Sequence, residues 1–228
     1  MKTLGLIVAR KGSKGVQNKN KKLLNNKPLI SYTIEHAKNA LKLDKIVIST
    51  DDLDIAEIAR NSGIEVPFIR PEILATDESK TRDVMAHCIE FFTAKNERYD
   101  AICLLQPTSP VRPEGIIDQA IEKFEESDCE VLFTMRLTPE HYNPYWSFKG
   151  INESDYLEPV MPNNFASRRQ NLPKCYHRDG AVYIFNVEMI MRNNYIDYSK
   201  SIGLLIENLP FINIDSQSDW LEAESFYE

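Results

Sequence analysis

The sequence predicts an α/β fold: a mostly parallel, twisted sheet covered by helices on both faces, with one small inserted arm. Three observations predict it. Short apolar runs alternate with stretches of helical periodicity. The runs are continuously apolar rather than alternating, which suits strands buried on both faces. The alternation breaks once, over residues 138–176, where Pro, Asn and aromatic residues concentrate (HYNPYWSF, YLEPVMPNNF).

Each element follows from its own pattern. Leu4 to Ala9 reads as a buried strand, followed by a Gly/Lys/Asn loop. Pro28 opens a helix through about Leu41, with Leu29, Ile30, Thr33, Ile34 and Ala37 on one face. Lys45–Ser49 is the next strand, 53–61 a short helix ended by Gly63, and Glu65–Ile69 a third strand. Residues 81–95 form a helix with Val84, Cys88, Ile89 and Phe92 inward. Ala101–Leu105 is a strand, 114–126 a helix and 130–135 a strand. Ala181–Phe185 returns to the sheet, and Ser216 begins a final helix with Ser and Asp at its start. In such sheets ligands bind beyond the carboxyl ends of the strands, so the loops after Ala9, Ser49 and Leu105 should line one crevice.

The chain has 228 residues, 43% of them hydrophobic, enough for one substantial core. The expectation is a single domain, 1–228, carrying the 138–176 arm. No apolar run is long enough to span a bilayer, and the N-terminus shows no signal-peptide cleavage pattern. No membrane partner and a cytoplasmic location are expected. Cys88, Cys103, Cys129 and Cys175 form no CxxC pair, so neither a zinc site nor a redox motif is indicated.

The net charge of −7 argues against nucleic acid as a partner. The charge is unevenly placed. Residues 1–34 hold eight Lys/Arg and no Asp or Glu, leaving −15 on the remainder. Such a patch is either a solvated basic loop or a site for a small polyanion such as a nucleoside triphosphate. The order Arg10-Lys11-Gly12-Ser13-Lys14-Gly15, then Lys19-Asn20, directly after the first strand, favours the second. Glycines let the backbone approach a ligand, turn N–H groups cradle phosphate, and Arg and Lys add fixed charge. The spacing is neither GxxxxGK[ST] nor GxGxxG, which excludes P-loop and dinucleotide-binding readings. Ser13 has no His/Asp partner set, so a hydrolase triad is not indicated.

Several segments together resemble the CMP-sialic acid synthetases (acylneuraminate cytidylyltransferases). Val8 to Gly15 with Lys19-Asn20 is similar to that family's signature loop. Ser49-Thr50-Asp51-Asp52 resembles its S-T-D segment, and Arg70-Pro71-Glu72 with Thr76-Asp77 its R-P-x-x-L-(A/S)-x-D stretch. Leu104 to Arg112 resembles its L-L-Q-P-T-S-P-L-R loop almost residue for residue. Arg168-Arg169-Gln170 with Leu172-Pro173, Gly180 to Ile184, and Ile214-Asp215 complete the series in family order over essentially the whole chain.

The resemblance implies a Rossmann-like nucleotidyltransferase that moves CMP from CTP to a nine-carbon 2-keto sugar acid of sialic, legionaminic or pseudaminic type. It implies Mg²⁺ as cofactor and a homodimer built through the arm. By the same resemblance Arg10, Ser13, Lys14 and Lys19 hold the CTP phosphates, with Asn20 beside them. Arg70 and Thr81 lie near the cytosine, and Gln106 contacts the sugar. Arg169 faces the sugar acid or the departing phosphates, Tyr183 lines the sugar pocket, and Asp215 binds Mg²⁺.

The sequence also departs from the family pattern. Asn213-Ile214-Asp215 stands where the family usually has Asp-x-Asp, so Asn213 is either a weaker metal ligand or a strand end. His177 and Asp179 stand where Arg and Asn are usual, with Arg178 displaced by one. His177 is thus either a substrate contact or a structural residue. Asp51 and Asp52 could bind metal or cap the helix at 53. Tyr142, Tyr145, Trp146 and Phe148 could stack on a base or pack against a second subunit. Glu35 and His36 read as solvated surface. Two rivals remain: a related nucleotidyltransferase such as a CMP-KDO synthetase, which carries an Asp in the loop where this chain has Gln106 to Ser109, and a non-catalytic nucleotide-binding protein on the same fold.

Overall fold

The computed structural model describes residues 1–151, 156–162, 168–192 and 195–227. The Asn163-Asn164-Phe165 part of the aromatic-rich stretch lies outside them. In chain order the elements are β1 (Thr3–Val8), β2 (Leu23–Leu24), β3 (Lys27–Pro28), α1 (Leu29–Asn39), β4 (Lys45–Ser49), α2 (Leu53–Asn61), α3 (Thr81–Ala94), β5 (Ala101–Leu105), α4 (Ile116–Glu125), β6 (Val131–Leu137), β7 (Phe148–Ile151), β8 (Leu157–Pro159), β9 (Tyr176–Asn186), α5 (Val187–Arg192), β10 (Ser201–Leu205) and α6 (Gln217–Tyr227). The chain divides into two compact units, Met1–Thr134 with Asp179–Glu228, and Met135–Arg178.

The main unit is built on a six-stranded mixed sheet in the order β10-β6-β9-β5-β1-β4. β1 pairs in parallel with β4 and β5, so Val8, Ser49 and Leu105 end their strands on one edge. β9 runs antiparallel to β5, with Leu104 opposite Tyr183. Helices α1, α2 and α4 place Ile30, Ile34, Ile55, Ile117 and Ile121 in one core with Ile7, Ile48, Cys103 and Leu105. The alternate strand residues Leu4, Leu6, Val47, Ile102 and Leu104 are equally buried, so the opposite sheet face is covered too. Arg82 of α3 donates to the Ile190 carbonyl of α5.

The expected strand at 65–69 is reduced to two isolated parallel bridges, Val47 with Glu65 and Thr50 with Ile69. Pro67 sits between them and has no N–H to extend the ladder. Strand β10 and helix α5 are not anticipated by the sequence patterns, and β9 begins five residues before the expected Ala181.

A second core lies under the signature loop. Val16, Leu24, Leu29, Tyr32, Val111, Ile212, Ile214, Trp220 and Ala223 form it. Its position ties Val16 of the loop and Ile214, neighbour of Asp215, to helix α6.

The smaller unit contains the antiparallel hairpin of β7 and β8 and turns held by buried Asn143. The Asn143 side chain accepts from the Tyr145 N–H at 3.0 Å and donates to the Pro173 carbonyl at 2.9 Å. Within this unit Leu137, Tyr142, Phe148, Tyr156, Leu157 and Tyr176 are exposed.

His36 departs from the solvated-surface expectation. It is half-buried on α1, while Glu35 beside it is exposed. Burial, reinforced by the charge of Arg112, pushes its pKa down to about 4. A histidine ordinarily protonates near pH 6.5, so the unfolded chain binds a proton there that the folded chain refuses until about pH 4. His36 therefore favours folding fully above pH 6.5, and this contribution shrinks as pH falls toward 4. Urea unfolding of wild type and His36→Gln across pH 7.5 to 4.5 reads this directly. The wild-type stability is expected to fall more steeply below pH 6.5 than that of the variant, whereas parallel curves would remove His36 from the balance.

Candidate active site

The carboxyl edge of β1, β4 and β5 opens into a cavity of about 400 Å³ within the main unit. Its lining includes Arg10, Ser13, Lys14, Gly15, Lys19, Asn20, Arg70, Thr81, Gln106 and Asp215. The strand edge thus brings together most of the residues singled out from sequence. Leu74, Thr76, Asp77 and Ser79 also line it. The sequence reading quoted Thr76 and Asp77 only as part of a motif and gave them no role.

The signature loop is held from both sides. The Lys11 N–H donates to Asp51 at 2.9 Å, and the buried Asn20 amide donates to the Arg10 carbonyl at 3.1 Å. Asp52 caps α2 through the Asp54 N–H at 2.9 Å and pairs with Lys21 at 3.0 Å. Asp51 thus holds the loop and Asp52 the helix start, the capping role expected as one of the alternatives. Gly15 packs directly on the Asp215 backbone. A Cβ at position 15 would lie 1.7 Å from the Asp215 carbonyl oxygen, so only glycine lets the loop meet that segment.

The cationic side chains are paired. Arg10 and Lys14 both reach Asp77, one to each carboxylate oxygen, with Lys14 at 2.9 Å. Lys14 and Arg10 together hold the Asp77 carboxyl below its ordinary pKa. Arg70 is buried, with its guanidinium on the Ser49 hydroxyl at 2.9 Å and on the Ser49 carbonyl. Burial lowers its pKa to about 10, which leaves it charged at neutral pH.

Lys19 lines the cavity with its ammonium donating to the Ile214 carbonyl at 2.6 Å and to Asp215 at 3.0 Å. The Asp215 backbone N–H is fixed in turn by Asp219 at 2.9 Å, and Asp219 also accepts from the Ser216 N–H at the start of α6. Asn213 does not line the cavity. Its amide donates to the second Asp215 oxygen at 2.7 Å. The amide nitrogen is thus engaged with the Asp215 carboxylate.

Asp215 itself suits a divalent cation. Its side chain is 68% exposed and lines the cavity. Mg²⁺ at nucleotide sites takes one or two carboxylates and fills its remaining positions with phosphate oxygens and water. Among the described residues no group of three or more His, Cys, Asp or Glu could hold a metal. The residues thus fit a metal shared with phosphates and not a cage made by protein alone.

The remaining candidates lie elsewhere. Tyr183 of β9 is half-buried, edge-on to Phe133 and stacked with Phe185, and does not line the cavity. Arg169 and His177 belong to the smaller unit. Arg169 pairs there with Glu140, and His177 Nδ1 lies 3.1 Å from the Arg178 carbonyl. Asp179, in the main unit, is buried. It accepts from the Thr134 hydroxyl and from the Ala181 N–H at 3.0 Å. Gly180 beside it has φ +84°, and a Cβ there would meet the Ser109 hydroxyl at 2.6 Å.

A cationic cavity of about 400 Å³ at the carboxyl edge of a mixed α/β sheet, with the exposed carboxylates Asp77 and Asp215 in its lining, defines a nucleotidyltransferase-type site. The chain matches the model of the family described as cytidylyltransferase over residues 4–202, and it belongs to that family. It is 32% identical over 228 residues to the pseudaminic acid cytidylyltransferase of Campylobacter jejuni subsp. jejuni serotype O:2, covering 100% of this chain and 97% of that protein. It is 31% identical over 229 residues to the CMP-N,N'-diacetyllegionaminic acid synthase of Legionella pneumophila, with 100% and 97% covered. In fold it is similar to a CMP:2-keto-3-deoxy-manno-octonic acid synthetase solved with CTP, at TM-score 0.73 and 12% identity over 100% of this chain and 98% of that one.

Proposed function

We propose that the chain transfers CMP from CTP to a nine-carbon 2-keto sugar acid and releases pyrophosphate. The observation that carries this reading is the cavity that gathers Arg10, Lys14, Arg70, Gln106 and Asp215 on one strand edge. Its family and its relatives of almost equal length support the reaction class. The two relatives act on different sugars at nearly the same identity, so the sugar acid stays a class.

The anomeric hydroxyl oxygen of the sugar acid forms a bond to the α-phosphorus. The bond from that phosphorus to the oxygen bridging the β-phosphorus breaks, and the hydroxyl proton is lost. Both substrates are anions, so positioning and charge neutralisation are what the protein must supply. In this reading Arg10 and Lys14 exchange Asp77 for the triphosphate, and Ser13 with the loop N–H groups completes the cradle, Asn20 holding its shape. Arg70 and Thr81 flank the base. Gln106 meets the sugar, with Arg169, His177 and Tyr183 as further candidates for the sugar side. Lys19 keeps the Asp215 carboxylate facing the cavity. Asp215 would hold Mg²⁺, which would supply neutralisation of the charge on the departing pyrophosphate.

The exposed Tyr142, Phe148, Tyr156 and Leu157 of the smaller unit support a homodimer formed through it. Sedimentation equilibrium at the mass of two chains is expected, and a monomer at micromolar concentration would exclude this. No helix among the described residues is long and apolar enough to cross a membrane, and a cytoplasmic location agrees with a CTP-consuming reaction.

Pyrophosphate release with CTP, Mg²⁺ and a panel of pseudaminate, legionaminate and neuraminate tests the reading. Release is expected with at least one acid, with CTP strongly preferred over UTP, ATP and GTP. Absence of release with every acid, despite CTP binding by calorimetry, would instead favour a nucleotide-binding protein without turnover.

A further inference from the structure

The Asn213 amide has an unambiguous orientation. Its nitrogen donates to Asp215 at 2.7 Å. That leaves Asn213 Oδ1 facing the other way, 3.4 Å from the buried Ser109 hydroxyl, which also lies 3.3 Å from the Asp179 carbonyl. The glycine at 180 keeps this corner open, since a Cβ there would fall 3.6 Å from Asn213 Oδ1 and 2.6 Å from Ser109 Oγ. Asp215 is thus gripped at both oxygens, by Lys19 on one and by Asn213 on the other.

We infer that Asn213 is a positioning residue: it fixes the Asp215 carboxylate by donation and leaves a single carboxylate on the 213–215 segment, to which one divalent cation comes with the nucleotide. An aspartate at 213 could not do this. It would set two carboxylate oxygens about 2.7 Å apart with no hydrogen between them, a repulsion that Lys19 on one oxygen of Asp215 offsets in part and that a bound cation would relieve further. The amide therefore removes a standing demand for metal. In the nucleotide-free protein the carboxylate is satisfied by Lys19 and Asn213 alone, and the triphosphate supplies the further oxygens that a hard cation requires. Loss of such an orienting partner ordinarily costs about 10–100-fold in metal affinity or activity.

This inference rests on the reading that Asp215 receives Mg²⁺, and the test separates the two. Full-length wild type, Asn213→Asp, Asn213→Ala and Asp215→Asn are titrated with Mn²⁺ and followed by its paramagnetic resonance signal, without nucleotide and with a non-hydrolysable CTP analogue. Without nucleotide, Asn213→Asp is expected to bind Mn²⁺ at least about tenfold more tightly than wild type, and to gain thermal stability on adding Mg²⁺ where wild type does not. With the analogue, wild type is expected to take one Mn²⁺. Asn213→Ala is expected to lose about tenfold in kcat with KM for CTP within about twofold and an unchanged melting temperature. Equal Mn²⁺ affinity of Asn213→Asp and wild type, two ions in wild type, or wild-type kcat in Asn213→Ala would each overturn the inference. Should Asp215→Asn keep wild-type Mn²⁺ binding with the analogue, the metal reading of Asp215 fails instead, whatever the position-213 variants do.

Discussion

The main unit depends on one buried guanidinium. Arg112 is 4% exposed and has no carboxylate in ion-pair contact among the described residues. Its Nε donates to the Ala181 carbonyl on β9 at 2.9 Å, one terminal nitrogen to the Thr33 hydroxyl on α1 at 2.9 Å, and the other to the Gln106 carbonyl at 2.8 Å. Three segments far apart in sequence meet on one planar fork. Burial lowers its pKa to about 10, yet it stays charged at neutral pH because those acceptors replace water. A buried acceptor left without its donor costs about 1–3 kcal/mol, and of the three the Gln106 carbonyl keeps a second donor, the Ser109 N–H at 3.2 Å. The backbone of the Gln106 loop, a wall of the cavity, is therefore set from inside the core. The same charge helps keep His36 neutral, so the two polar residues under α1 are coupled.

The cavity repeats this pairing logic at its surface. Each charged group has an internal partner: Asp77 for Arg10 and Lys14, Lys19 and Asn213 for Asp215. Fixed charges of opposite sign hold the side chains near where an anionic ligand and its metal would need them. Exposed pairs of this kind add little stability, so their value lies in orientation and in the ease with which a triphosphate can replace a single carboxylate. Backbone contacts do the rest. Gly15 against Asp215 and Val16 beside Ile214 join two segments separated by the whole sheet.

Much of this was legible from residue order. β1, β4 and β5 are continuous apolar runs, and strand ends of one polarity put Arg10, Arg70 and Gln106 on one edge without knowledge of any side-chain contact. The family resemblance supplied the cytidylyl chemistry. What was not legible concerns single polar groups. A helical histidine gives no periodic signal of burial, so His36 looked solvated. The apolar residues of 65–69 suggest a strand, but Pro67 has no N–H to give the ladder, so only two bridges form. β10 reads SIGLL, where Ser201 and Gly203 interrupt the apolar run that marks β5 at the same length. The partners of Lys19, Asn213 and Asp179 lie 196, 2 and 45 residues away, where spacing says nothing about which atom faces which.

The central claim is that the Arg10 loop and Asp215 together form the triphosphate site. A crystal structure of the protein with CTP and Mg²⁺ tests it most directly. The account requires the triphosphate on the Ser13–Gly15 turn, Arg10 and Lys14 released from Asp77 onto phosphate oxygens, the cation on Asp215, and the cytosine beside Arg70 and Thr81. A nucleotide bound elsewhere, with both Asp77 pairs intact and Asp215 remote from any metal, would contradict it.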